Sequence, residues 1–164
     1  TLSLATWYHV VVVRDSGTWQ HYVDGSAVGG TISNTPNSPG TNTCIGTYKT
    51  SGGSASNFFN GLIDDVRFYT RALSGAEITS LYGQAADPSI TVSSTSLSGW
   101  WKLDETSGNA ADSSGNSNTM TNTGSTPFVA AGGIVAISNL AARSSVSSPA
   151  RTSVSSPARS VATI

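Results

Sequence analysis

Few side chains in this sequence can do chemistry: nine Asp and Glu, two His and one Cys among 164 residues. A retaining glycosidase needs two carboxylates about 5 to 5.5 Å apart flanking the bond, often presented by acidic residues that alternate along one strand. No such strand exists here. Asp64-Asp65 and Asp104-Glu105 are adjacent and face opposite ways if extended, while Glu77 follows Ser74 at helix-capping distance. His9 and His21 could face each other across a hairpin, but no Cys, third His or carboxylate stands at ligand spacing. Ser147 and Ser155 are repeat serines without the flanking glycines of a nucleophile elbow. Cys44 has no nearby base or second thiol and reads as a small core residue. The chain is expected not to be an enzyme.

Two oxygen-rich places remain. Alternation from Leu62 puts Asp64 with Leu62, Val66 and Phe68 on one strand face, and Asp65 with Ile63, Arg67 and Tyr69 on the other. An ionised Asp64 among apolar side chains costs several kcal/mol unless pairing, dense hydrogen bonding or a metal offsets its desolvation. Asp65 is expected to form an exposed pair with Arg67, worth about 0 to 1 kcal/mol. In DSSGNSN, residues 112–118, Asp112, Ser114, Asn116 and Asn118 place oxygens at every second position, which suits calcium and suits a polar turn equally. It is not an EF-hand, because Gly115 stands at the fourth position and Thr123 at the twelfth.

The elements that position these residues read as hairpins followed by one helix. WYHVVVV at 7–13 is rich in aromatic and β-branched types, with Asp15, Ser16 and Gly17 as its turn. Trp19, His21 and Val23 alternate up to the hairpin signal Asp24-Gly25. Residues 29–40 read as a surface loop, Cys44 to Tyr48 as a short strand, 52–57 as another loop and 62–69 as a strand. Ser74 caps a helix over 74–82, Glu77 completes the capping box, Leu73 and Ile78 form the hydrophobic staple, and Gly83 is expected to stop it.

The blocks WYHVVVVRDSGTWQHYVDG, CIGTY and FNGLIDDVRFYTRALSGAEI, in that order, resemble the C-terminal half of a laminin-G-like, concanavalin-A-like jelly-roll domain of the bacterial secreted type. GWWKLDETSGNAADSSGNSNTMTN, from Gly99, resembles the N-terminal opening of a second copy. The expected organisation is a half-module at 1–85, a linker at 86–98, a module opening at 99–128 and a low-complexity tail at 129–164, as in a tandem array cut at both sides. The expected fold is an all-β, antiparallel jelly-roll β-sandwich, fragmentary here, with one short C-terminal helix per module. In the tail, RSSVSSPA at 143–150 recurs as RTSVSSPA at 151–158, a composition expected to stay disordered in isolation. It is either a Ser/Pro-rich spacer or the product of a truncated or shifted reading frame.

A net charge of −1 carries no basic footprint for nucleic acid, and VAAGGIVAI at 129–137 falls far short of the ~20 residues of a membrane helix. The resemblance implies an extracellular or cell-surface location and a structural calcium between the opening segment and the last strand. Asp64 lies where β-glucanase relatives of the fold carry a calcium-ligating aspartate, with Asp112 and Asn116 as looser partners. It further implies a binding module for polysaccharide or glycoprotein, with Trp19, Tyr22, Tyr48 and Trp100 as candidate stacking residues, each of which could instead serve the core. The alternative is a structural or adhesive array that self-associates through complementary half-modules, paired within one chain or between chains.

Overall fold

A computed structural model describes residues 2–34, 43–49, 55–86, 93–123, 128, 134–136 and 162–163. Two tight hairpins open it. β1 (Val10–Asp15) pairs with β2 (Thr18–Val23) through Ser16 and Gly17, and β2 pairs with β3 (Ser26–Ser33) through Asp24 and Gly25. All four turn residues have positive φ, the type I′ geometry whose twist matches the flanking strands and which favours Asp-Gly and Ser-Gly sequences. The Asp24 carboxylate also accepts the His9 N–H at 2.9 Å while its own N–H donates to the His9 carbonyl at 2.8 Å, which fixes the start of β1. β3 corrects the expected surface loop: Gly29 to Ser33 are strand, entirely exposed and held by backbone pairing to β2 rather than by side-chain preference.

β4 (Tyr48–Lys49) and β5 (Ala55–Ser56) form a small ladder. Ile45 to Thr47 are bends rather than the expected strand, and Cys44 before them is irregular and half-buried. β6 (Gly61–Ile63) and β7 (Val66–Tyr69) replace the single strand expected at 62–69. Asp65 interrupts it with a φ of 51°, a left-handed conformation that Asp tolerates better than most residues. The interruption cancels the alternation. Asp64, Asp65, Val66 and Arg67 are all buried in succession, whereas Leu62 and Phe68, expected in the core, are about two-fifths exposed at 43% and 41%.

α1 (Gly75–Ala86) begins where the capping box places it. Ser74 Oγ accepts the Glu77 N–H at 3.3 Å and Glu77 Oε2 accepts the Ser74 N–H at 2.9 Å. Arg71 clamps the same carboxylate, so its hydrogen bonds and those of Ser74 hold the Glu77 pKa at about 2. Gly83 does not stop the helix, which runs on to Ala86; contacts of Ile78, Leu81 and Gln84 with the sheet side outweigh the modest propensity cost of an internal glycine.

β8 (Leu97–Trp101) pairs antiparallel with β7, Arg67 opposite Trp100 and Val66 opposite Trp101. β9 (Ile134–Ala136) pairs with β6, and β10 (Ala162–Thr163) lies parallel to both β1 and β7. The principal sheet therefore runs β3-β2-β1-β10-β7-β8. Val11, Tyr69, Leu73, Ile78 and Leu81 form a core between the sheet and α1, with Leu73 and Ile78 in the stapled arrangement. On the other face Val66 joins Trp101, Leu103 and Ala110, so this second core draws on both family-like blocks of one chain. The architecture is a mostly antiparallel β fold with one short helix, a fragmentary jelly-roll sandwich. The remainder of the expected linker and tail lies outside the described residues.

Ser74→Ala removes the cap and should lower stability by ~0.5 to 2 kcal/mol, read as a shifted urea midpoint with an unchanged slope.

Candidate functional site

The strongest polar cluster forms around Asp65, where an exposed ion pair was expected. Arg67 donates from Nε to Asp65 Oδ1 and from Nη2 to Oδ2, both at 3.2 Å, with the two side chains 7% and 9% exposed. Its remaining nitrogen, Nη1, donates to Gln84 Oε1 at 2.8 Å. The Trp100 indole N–H donates to Asp65 Oδ1 across the β7–β8 ladder. Arg67 stacks on the Trp100 ring with its guanidinium carbon 4.5 Å from the centroid, and Lys102 Nζ lies 4.7 Å from the same ring. A buried carboxylate here is fully engaged, by a bidentate fork and an indole donor, which is the condition for tolerating its desolvation. Sequence spacing suggested only the Asp65–Arg67 pair; its burial follows from the left-handed turn at Asp65, which no residue pattern announces.

Of the four aromatic candidates, Trp19, Tyr22 and Trp100 do not converge. Trp19 is half-buried on the sheet face away from α1; its indole N–H donates to the Asn34 carbonyl at 3.2 Å and Arg14 approaches its ring at 5.8 Å. Tyr22 packs on the opposite face against the α1 core. Tyr48 places its backbone in β4, and its side chain lies outside the described residues. Trp100 is occupied by Asp65 and two cations. β2 and β8 are separated by β1, β10 and β7, so Trp19 and Trp100 stand on strands roughly 19 Å apart at the usual inter-strand spacing.

The oxygens of the 112–118 loop turn onto β8. Asp112 accepts four hydrogen bonds of 2.8–2.9 Å, from the N–H groups of Trp100, Ser114 and Asn118 and from the Ser114 hydroxyl. Partial burial pushes its carboxyl up, but those donors outweigh it and hold the pKa at about 2. Asn116 Nδ2 donates to the Leu97 and Ser98 carbonyls at 2.8 and 3.2 Å, and Asn118 Nδ2 to Ser98 at 2.9 Å. As arranged, Asp112 and Asn116 clamp a strand edge, and a cation at Asp112 would have to displace donors already in place. Asp64 is buried at 4% exposure. Among the described residues no group of three or more His, Cys, Asp and Glu side chains forms a metal-binding set.

His9 and His21 do not face each other. His21 lies opposite Val12, while His9 precedes β1 and is 1% exposed beside the Tyr82 ring, with a centroid separation of 5.9 Å. Among the described residues neither His9 ring nitrogen has a hydrogen-bond partner. Burial pulls its pKa down to about 4, partly opposed by Asp24 and Asp65 and reinforced by Arg67.

A cleft of about 510 Å³ separates Val12–Asp15 of β1 from the end of β7 and the segment leading to α1, with Trp19 and the exposed Phe68 in its walls. Arg14, Asp15, Thr70 and Arg71 supply polar groups at its margin. This is the concave, mixed aromatic and polar surface on which a ligand could be held.

Residues 1–79 match a laminin G-type family model of the concanavalin A-like lectin/glucanases superfamily. An S-layer domain-containing protein of Clostridium thermocellum is similar, at 30% identity over 50% of this chain and 42% of the solved one, with a TM-score of 0.41. The chain thus spans less than half the length of that solved structure. No curated protein matches. Residues 1–79 are thus similar to laminin-G-like, concanavalin-A-like domains, a likeness that suggests a binding or structural module.

His9 generates a pH prediction. Its folded pKa of about 4 lies below the ordinary 6.5, so between these values the unfolded chain binds more protons and stability falls as the pH is lowered. The loss should be on the order of 3 kcal/mol across that window, measured as urea midpoints at successive pH values. His9→Leu should flatten the dependence from pH 6.5 to 4.

Proposed function

We propose that this chain belongs to a non-catalytic binding module of a larger secreted or cell-surface protein, and that it holds polysaccharide or glycoprotein in the cleft between β1 and β7. The observation that carries this reading is the cleft itself. Trp19 and Phe68 provide apolar surface, while Arg14, Asp15 and Thr70 provide donors and acceptors at its edge, the combination that grips an amphipathic, extended ligand. Trp100 is left out of the ligand surface, because Arg67 and Lys102 take its ring. The match of residues 1–79 to the lectin and glucanase superfamily supports the class of ligand, and the extracellular assignment rests on the same match.

A second reading, a structural or adhesive array, is favoured by the apolar residues left exposed on the sheet face away from α1. Val28, Ile32 and Phe68 are 39%, 54% and 41% exposed there, surface that a second layer of a sandwich would normally cover. Self-association through that face is the corresponding partner.

The calcium part of the proposal rests on the family resemblance, with Asp64, Asp112 and Asn116 as its ligands; a cation there would displace donors that Asp112 now accepts. Calcium would then stabilise the folded state by RT ln(1 + [L]/Kd), about 2.7 kcal/mol at a hundredfold excess over Kd.

On a glycan array the full chain should bind extended oligosaccharides or glycopeptides, and Trp19→Ala should weaken binding at least tenfold with an unchanged melting temperature. Absence of binding together with concentration-dependent association would select the array reading. In parallel, calcium should raise the melting temperature relative to chelator, and Asp64→Asn should abolish the rise; identical curves would leave Asp64 as a structural carboxylate.

A further inference from the structure

Asn60 is followed by Gly61, the one Asn-Gly step in this sequence. An asparagine in front of glycine is set up for an intramolecular reaction, because a residue without a Cβ leaves its backbone nitrogen open to the neighbouring carboxamide. The fold decides whether the two groups are held apart. Asn60 is exposed and lies outside any strand, and among the described residues nothing bonds its side-chain amide. Gly61 is the terminal residue of β6, at the end of a ladder of three pairs with β9, where backbone pairs open at the least cost in free energy.

The asparagines of the 109–118 region are placed differently. Asn116, in front of Ser117, has its Nδ2 on the carbonyls of Leu97 and Ser98 and on Ser114 Oγ, at 2.8, 3.2 and 3.1 Å. Asn118 holds the Ser98 carbonyl at 2.9 Å, and Asn109 Oδ1 accepts the Asn122 N–H at 3.2 Å. Asn57 is also exposed, but the bulky Phe58 follows it and crowds the nitrogen that would have to attack.

We propose that Asn60 is a self-modification site, at which the folded chain converts its carboxamide to a mixture of aspartate and isoaspartate. The Gly61 nitrogen attacks Asn60 Cγ and forms a C–N bond, its proton leaves with the carboxamide nitrogen as ammonia, and a five-membered succinimide remains. Water then opens the ring at one of its two carbonyls. Opening at Cγ gives aspartate; opening at the former backbone carbonyl gives isoaspartate, in which the main chain runs on through the side-chain methylene. The net change consumes one water and releases one ammonia.

Either product adds a negative charge. Isoaspartate also lengthens the main chain by one carbon immediately before β6, whose Ile63 packs against the cluster of Val66, Trp101 and Leu103 and whose next residues are the buried Asp64 and Asp65. A longer approach displaces Gly61–Ile63 along β9 and draws Ile63 off that cluster. The site is separate from the binding surface and does not rest on the binding reading.

The test incubates the full chain in mildly alkaline buffer and follows isoaspartate by mass spectrometry of its peptides and by an isoaspartyl-specific methyltransferase. Isoaspartate should accumulate at residue 60 at least tenfold faster than at Asn109, Asn116 or Asn118. Gly61→Ala should slow it at least tenfold; the exposed Phe59 ring, 2.7 Å from a Cβ at that position, has only to swing aside. Comparable rates at the held asparagines, or a residue 60 that stays intact in the folded chain while it converts in urea, overturn the proposal. The isoaspartyl form should melt below the parent, whereas Asn60→Asp, which adds the charge alone, should melt with it. An isoaspartyl form that melts with the parent overturns the effect on β6.

Discussion

One buried carboxylate ties the two halves of this molecule together. Asp65 sits on the laminin-G-like segment, and the indole that bonds it sits on β8, thirty-five residues away along the chain. Taking Asp65 and Arg67 out of water costs several kcal/mol per ion, and only a saturated set of partners offsets that. The fork from Arg67, the reach of Arg67 to Gln84 on α1 and the donor from Trp100 complete the set. Removal of any one partner leaves charge or polarity uncompensated at a site where Asp65 and Arg67 are almost fully buried. β7, α1 and β8 are consequently held in a single mutual arrangement.

The rest of the packing follows from that arrangement. With Trp100 turned towards Arg67 on the α1 side, alternation directs Trp101 to the other face, where it joins Val66, Leu103 and Ala110. Gly99 is needed beside it: a Cβ at that position would come within 2.2 Å of the Trp101 ring. The Trp101 indole donates to the Asn118 carbonyl at 2.8 Å, and the Asp112 carboxylate gathers the loop back onto Trp100. The oxygen-rich loop fastens β8 through backbone N–H groups that donate to Asp112.

The elements whose signals are local were legible in the sequence. Both hairpin turns need positive φ and carry Gly at the second position, and the helix start is written in Leu73, Ser74, Glu77 and Ile78. What escaped depended on distant partners. β3 is strand because β2 offers it an edge, although its own residues favour loop. α1 passes Gly83 because its sheet-facing side is anchored beyond it. The alternation at 62–69 failed at one residue, Asp65, whose left-handed backbone turned an expected surface pair into the buried centre of the fold. The packing of Arg67 and Lys102 on Trp100 was not legible, because folding brings those cations to the ring.

The claim that Asp65 and Trp100 join the halves energetically is tested most directly by a double-mutant cycle on unfolding free energy, with Asp65→Ala, Trp100→Phe and the pair. The account predicts a coupling of about 1 kcal/mol or more, since the two groups share one hydrogen bond and one buried network. Single-mutant effects that add to within about 0.5 kcal/mol in the double variant would contradict it.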